Sequence, residues 1–292
     1  MSKLTTSSAL QMFPRGTVLA IDPDWLSRFQ MDPQGTVEAA ISRQKETAVA
    51  RAAGGVAVVS VRGPIMPGGG ILSMLGLVAA LEVIGARLRA ALADDEVKAV
   101  VLDMDSPGGP VEGVTELANE IYSLRGDKPI VAQVNYMACS ACYHIAAQAD
   151  DIVASPSALV GSVGTFIQHM EFSGMLEQDG VTVEYIASAP EKVDGNRFQP
   201  LTDTGRAEMQ ALVDDAFETM VADIARGRGV SPNVVRGDDY GKGHVFNARE
   251  ALRRGLVDKI RSFAETLAVY GITQGRGKGR ARAERELAML NL

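Results

Sequence analysis

The stretch Val97-Lys98-Ala99-Val100-Val101-Leu102 is followed within a few residues by Asp105-Ser106-Pro107-Gly108-Gly109-Pro110 and then by a helical pattern from Val111 to Leu124. Apolar in all but Lys98, the first run reads as a strand buried on both faces. A strand that ends in a glycine turn and re-enters as a helix is the unit of an α/β fold with a parallel sheet. The same alternation repeats downstream. Pro129 to Val134 predicts a strand, Cys139 to Gln148 a helix and Asp151 to Ala154 another strand. Two short strands are expected to flank Gly161-Ser162-Val163-Gly164, and Val181 to Ile186 predicts one more. Upstream, Val56 to Val61 reads as a strand and about Ile71 to Ala93 as a helix.

A long helix is expected from Thr202 to Arg226, with Thr202 or Asp203 as its N-cap. Phe246 to Leu252 starts a further helix, and Leu256 to Ile260 reads as a last strand. Residues 1–50 read as an N-terminal arm. Within it Gly16 to Ile21 suggests a short strand, Asp24 a cap for a short helix containing Trp25, and Val37 to Arg51 a helix. Residues 51–270 form the expected domain. Residues 271–292 form a basic tail carrying Arg276, Lys278, Arg280, Arg282 and Arg285, read as a solvated end or a contact for scaffold, capsid or nucleic acid.

Composition narrows the function. Of 292 residues, 46% are hydrophobic and 22% charged, enough apolar material for a substantial core. A net charge of −7 argues against nucleic acid as the main partner except through the basic tail. No run reaches the ~18–20 apolar residues of a membrane span, and the N-terminus lacks a signal-peptide core, so a cytoplasmic location is expected. Cys139 and Cys142 are the only cysteines, which excludes a disulfide-stapled scaffold. As a C-x-x-C at a helix start they could serve redox chemistry or half a zinc site. With no second cysteine pair, they are expected to be small packing residues.

The chemical candidates lie at strand ends. In open α/β sheets sites form beyond the carboxyl ends of strands, where both the Gly108–Gly109 turn and the turn at Ser140 fall. A serine nucleophile needs a base. Of the three histidines, His144 lies four residues after Ser140 on the same helix face, but the simpler reading is a buried histidine with a backbone partner. A lysine can replace histidine if desolvation brings its pKa down from ~10.4. Lys192, in Ala189-Pro190-Glu191-Lys192-Val193-Asp194-Gly195-Asn196, is a candidate that would have to be buried with the flanking Glu191 and Asp194 turned to solvent. Read alone, it is a solvated surface residue. An oxyanion hole requires two backbone N–H groups aimed at one point; Ala141 supplies one and Gly109, or Gly108, the other.

Taken together, the Gly63-Pro64 turn, Asp105 to Gly109, the Ser140 helix, Gly161-Ser162-Val163-Gly164, the lysine loop and Phe198-Gln199-Pro200-Leu201-Thr202 resemble, in order, the signal peptide peptidase A family of serine proteases. The resemblance spans about Val56 to Ile260. It implies a ClpP/crotonase-like fold, a repeated β-β-α superhelix with largely parallel sheets. It also implies Ser140 as nucleophile, Lys192 as general base, Ser162 as the residue orienting the lysine, and Gly109 and Ala141 as oxyanion donors. No cofactor or metal is implied. Where the membrane-bound bacterial enzymes carry Ser-Gly-Gly, this chain has Ser140-Ala141-Cys142. That run and Lys192-Val193-Asp194-Gly195-Asn196 resemble the tailed-phage branch of head maturation and capsid assembly proteases. The implied substrates are capsid, scaffold or portal proteins, and the implied assembly is a homo-oligomeric ring in which serine and lysine can come from neighbouring subunits. Alternatives are a bacterial signal-peptide-peptidase-like peptidase, a crotonase-type acyl-CoA enzyme, which would not need Ser140, and a non-catalytic assembly protein.

Overall fold

The computed structural model describes residues 16–32, 35, 51–52, 55–68, 70, 73, 77–126 and 128–270. The helix expected over Val37 to Arg51 falls almost entirely outside them, as does the basic tail.

The described elements run β1 (Leu19–Ile21), α1 (Pro23–Met31), β2 (Arg51–Ala52), β3 (Val56–Arg62), β4 (Ile65–Met66), β5 (Ala79–Ala80), α2 (Leu81–Ala93), β6 (Ala99–Ser106), β7 (Gly108–Pro110), α3 (Val114–Ser123), β8 (Ile130–Cys139), α4 (Ala141–Ala146), β9 (Asp151–Ala154) and β10 (Leu159–Gly161). There follow α5 (Ser173–Gln178), α6 (Asp203–Arg228), α7 (Pro232–Arg236), β11 (Val245–Asn247), α8 (Ala248–Arg253), β12 (Lys259–Ile260) and α9 (Phe263–Val269). The central sheet runs β11-β10-β8-β6-β3-β2. Its inner pairs are parallel, whereas β2 and β11 join antiparallel at the edges. β8 is long enough to fork. Its first half carries β9, which pairs with β12, and its last three residues carry β10. The mixed α/β architecture with a mostly parallel sheet is the expected fold class.

The strands hold because both of their faces are covered. Val100, Leu102 and Met104 of β6 and Ile130, Ala132 and Val134 of β8 are buried with the helices. Val56, Val101, Val131 and Val153 form a second layer under Phe263, Leu267 and Tyr270. α2 buries Leu81, Ile84, Gly85 and Leu88, and α3 buries Val114, Leu117, Ala118 and Ile121. This i, i+3, i+4, i+7 spacing gives each helix one apolar stripe, and burying each large side chain is worth roughly 1.5–3 kcal/mol.

Several expectations need correction. The helix expected from about Ile71 is interrupted: Gly70 and Ser73 are helical, residues 71, 72 and 74–76 lie outside the described residues, and α2 starts at Leu81, because Ala79 and Ala80 pair with Ile65 and Met66 as a two-stranded sheet. The first helix is capped by Asp22, whose carboxylate accepts from the Trp25 amide at 2.8 Å, with Pro23 opening the helix and Asp24 in its first turn. Proline at the first helical position favours this choice, since it has no N–H to satisfy. Only β10 flanks the Gly161–Gly164 turn as a strand; after the turn there is a single bridge, Leu19 to Phe166. Val181 to Ile186 is not a strand: it lacks a paired neighbour and Ile186 is 96% exposed. An alternating pattern marks a chain able to pair, but a ladder requires a second edge.

Candidate active site

β6 and β8 end side by side, with Ser106 in register with Ala138. Beyond β8 the chain reverses into α4 at Ser140, which has φ 55° and ψ −118° and is fully buried. A non-glycine residue in the left-handed region is strained by roughly 1–3 kcal/mol and is held there by its surroundings. Here the hold is the neighbouring strand. β10 is parallel to β8 with Gly161 opposite Cys139, and the Ser140 amide donates to the Gly161 carbonyl at 2.8 Å. One residue beyond Gly161, Ser162 is also buried and left-handed, at φ 53°. Its amide donates to the His244 carbonyl at 2.8 Å. The Ser140 hydroxyl donates to the Gly164 carbonyl at 3.2 Å.

The glycine turn completes the surroundings. Gly108 has φ 100°, and its amide donates to Ser106 Oγ at 3.1 Å. A Cβ on Gly108 would lie 2.2 Å from the Ala20 carbonyl oxygen, 3.0 Å from the Cys139 carbonyl oxygen and 3.1 Å from the Ala141 nitrogen, so these three atoms border one small space. The other boundary is Gly109. β1 runs antiparallel to β7 with Ala20 opposite Gly109. The Val111 amide donates to Val18 and the Asp22 amide to Pro107. In an antiparallel ladder hydrogen-bonded pairs alternate, so Ala20 and Gly109 form the pair between those two, and the Gly109 N–H faces the Ala20 carbonyl. Of the two glycines, Gly108 thus has its N–H engaged by Ser106 and Gly109 its N–H by the Ala20 carbonyl.

Ser140, Ser162, Gly108, Gly109 and Ala141 are thus brought together. Lys192 is not brought to them. It sits in a short 3-10 turn, Pro190–Val193, is exposed, and makes no ion pair among the described residues. Asn196 braces this loop: its side chain donates to the Val193 carbonyl and Gln199 and accepts from the Phe198 amide. The loop precedes the first half of α6, which is largely solvent-exposed, Leu212 at 54%.

His144 is buried, but its partner is a carboxylate and not a backbone group: Nε2 lies 2.9 Å from Asp223 Oδ2. Arg226 meets the other Asp223 oxygen at 3.1 Å. Cys139 and Cys142 are buried and unoxidised. Burial, helped by the nearby Asp22 and Cys142, pushes the Cys139 thiol up; burial and Asp105 do the same for Cys142. Neither thiol resembles a reactive thiolate. No group of three or more potential metal ligands occurs among the described residues. Sequence reading missed Asp223, which lies 79 residues from His144 in a helix of unremarkable pattern, and the placement of Ala20, for which no local signal exists.

The sequence model of peptidase family S49 matches residues 123–273, and the chain belongs to that family. Among curated proteins it is similar to the head-tail preconnector protein GP5 of Enterobacteria phage P21, 33% identical over 221 residues, covering 76% of this chain and 44% of the relative. It is similar also to capsid assembly protease C of Escherichia phage lambda, 31% identical over 215 residues, covering 74% and 48%. Protease 4 of Haemophilus influenzae is 30% identical over 213 residues, covering 73% and 34%. The chain therefore spans about half the length, or less, of these relatives. No described helix is long and apolar enough to cross a membrane.

Proposed function

We propose that this chain is a serine endopeptidase of phage head assembly, acting on capsid, scaffold or portal proteins in the host cytoplasm or the prohead. Residues 51–270 would be the peptidase domain, 1–50 its arm and 271–292 its tail. The observation that carries the reading is a buried, left-handed Ser140 at a strand-to-helix turn, with the Gly108–Gly109 turn packed close to the Ala141 nitrogen. In the proposed reaction Ser140 Oγ attacks the scissile carbonyl carbon while neutral Lys192 takes its proton. The carbonyl oxygen becomes an oxyanion held by Gly109 and Ala141, donors that typically contribute about 10²–10³ each in rate. Lys192 returns the proton to the leaving amine, and water then hydrolyses the acyl-enzyme. Ser162 orients the lysine. No cofactor or metal takes part.

Exposure of Lys192 supports an assembly in which the base of one subunit serves the serine of its neighbour. The unpaired Val181–Ile186 segment and the bare first half of α6 are surfaces such a ring would cover. Two experiments test the reading. A fluorophosphonate should label the chain, and Ser140→Ala should abolish labelling. Mixing Ser140→Ala chains with Lys192→Ala chains should restore peptide hydrolysis that neither shows alone; no recovery would count against a site shared between subunits.

A further inference from the structure

We infer that the segment Val18–Asp22 is a built-in occupant of the substrate cleft, so that this chain holds its own site closed until the arm is displaced. The inference rests on the reading of Ser140 as the nucleophile.

β1 is bonded along both edges. On one side it pairs with β7, the strand that carries Gly109. On the other, the Leu19 amide donates to the Phe166 carbonyl at 2.8 Å and the Phe166 amide to the Leu19 carbonyl at 2.9 Å. Phe166 lies just past the Ser162 turn. The two backbone edges that flank the serine are therefore both taken up by the arm. An extended peptide reaching Ser140 by strand addition would need those same edges.

Position within the strand sharpens the point. The Ala20 carbonyl oxygen stands at the space bordered by the Ala141 nitrogen and faced by the Gly109 N–H. A substrate carbonyl would stand there at attack. Ala20 also borders a cavity of about 200 Å³ lined by Val114, Thr115, His144, Thr219 and Met220. A larger side chain than alanine could use that room.

The arm is anchored on both sides of Ala20. Leu19, Ile21 and Leu26 pack with Trp25 and Phe166 in a satellite cluster separate from the main core. The Asp22 amide donates to the Pro107 carbonyl at 2.8 Å, and α1 starts there. A segment tethered in the same chain acts at an effective concentration in the millimolar range, so a free peptide of equal intrinsic affinity competes poorly. Of the strand, only the small Ala20 reaches the main core, so undocking the arm removes little of that core.

A double variant, Leu19→Cys with Pro110→Cys, tests this. These positions form a non-hydrogen-bonded pair, whose ~4.5 Å Cα separation suits a disulfide. Oxidation should slow fluorophosphonate labelling of Ser140 at least tenfold, and reduction should restore it. Independently of catalysis, a fluorescein-labelled peptide of the sequence Gly16 to Asp24 should bind the Ser140→Ala chain at least tenfold more tightly when Leu19→Asp is added to undock the arm. Labelling that ignores the lock, or equal peptide affinity with and without Leu19→Asp, overturns the inference. If the phosphonate labels no state of the protein while peptide binding still responds to Leu19→Asp, the arm still fills a peptide-binding groove and it is the serine-peptidase reading that falls.

Discussion

Ser140 and Ser162 leave neighbouring parallel strands at the same level, each with a left-handed backbone, at φ 55° and φ 53°. The Ser140 amide bonds the carbonyl of Gly161, the residue immediately before Ser162. Two strained serines set against each other by strand register are costly for stability, and such strain concentrates where function requires it.

From that strain follows an opposition between stability and chemistry at one position. Ser140→Gly should remove the hydroxyl and relax the backbone, raising stability by about 1 kcal/mol while abolishing labelling by a phosphonate. Ser140→Ala should be equally inert but gain nothing. Thermal melts of the three proteins check this; a lower midpoint for Ser140→Gly than for wild type would contradict the strain argument.

Gly109 has no room for a side chain. A Cβ there would stand 1.9 Å from the Ile65 carbonyl oxygen, a backbone atom that cannot swing aside. Gly109→Ala should cost roughly 2–4 kcal/mol and, by shifting the amide, slow Ser140 labelling about 10²-fold. Chemical denaturation and labelling rate on the folded protein separate the two effects.

His144 should prove structural. Removing it leaves the buried Asp223 carboxylate with Arg226 as its one charged neighbour. His144→Ala should therefore destabilise by about 3 kcal/mol, while the folded fraction keeps its Ser140 labelling rate within a few-fold. A loss of labelling in fully folded His144→Ala protein would instead give the imidazole a role at the serine.

Acid should loosen the closing strand. Burial alone would raise the Asp258 carboxyl. The forked pair with Arg228, at 2.6 and 2.9 Å, and the Ile152 amide outweigh it and hold the carboxyl below its ordinary value. A folded pKa below the unfolded one means the contribution is complete above about pH 4 and is lost as pH falls through the lowered value. Asp258→Asn should cost about 2–3 kcal/mol at neutral pH and flatten the fall of the melting midpoint below about pH 4.

Much of the fold is legible in sequence. Apolar strands such as Val100 to Leu102 and helices with one stripe, such as Val114 to Ile121, announce themselves because their patterns reflect which faces are buried. Thr202 and the left-handed Gly229 bound the long helix through local hydrogen bonding and backbone freedom. Less legible are elements whose state depends on a distant partner. Ala79–Ala80 becomes a strand because Ile65–Met66 lies alongside, and Val181–Ile186 stays unpaired because no described strand does.

The site divides in the same way. Sequence alone determined the residue types and their order: a serine at a strand-to-helix turn, a glycine pair at another, a serine in a Gly-Ser-Val-Gly turn, and a lysine in a loop. These are local properties, written in short spans of chain. Tertiary structure decided which of them meet. Strand register set Ser140 beside Ser162, Ser106 engaged Gly108, β1 paired with Gly109, and Lys192 stayed outside at the surface. It also laid Ala20, some 120 residues from the serine, opposite Gly109 and against the Gly108 turn. No local pattern encodes such a contact, because backbone pairing between distant strands depends on shape and register and hardly at all on which small side chain is carried.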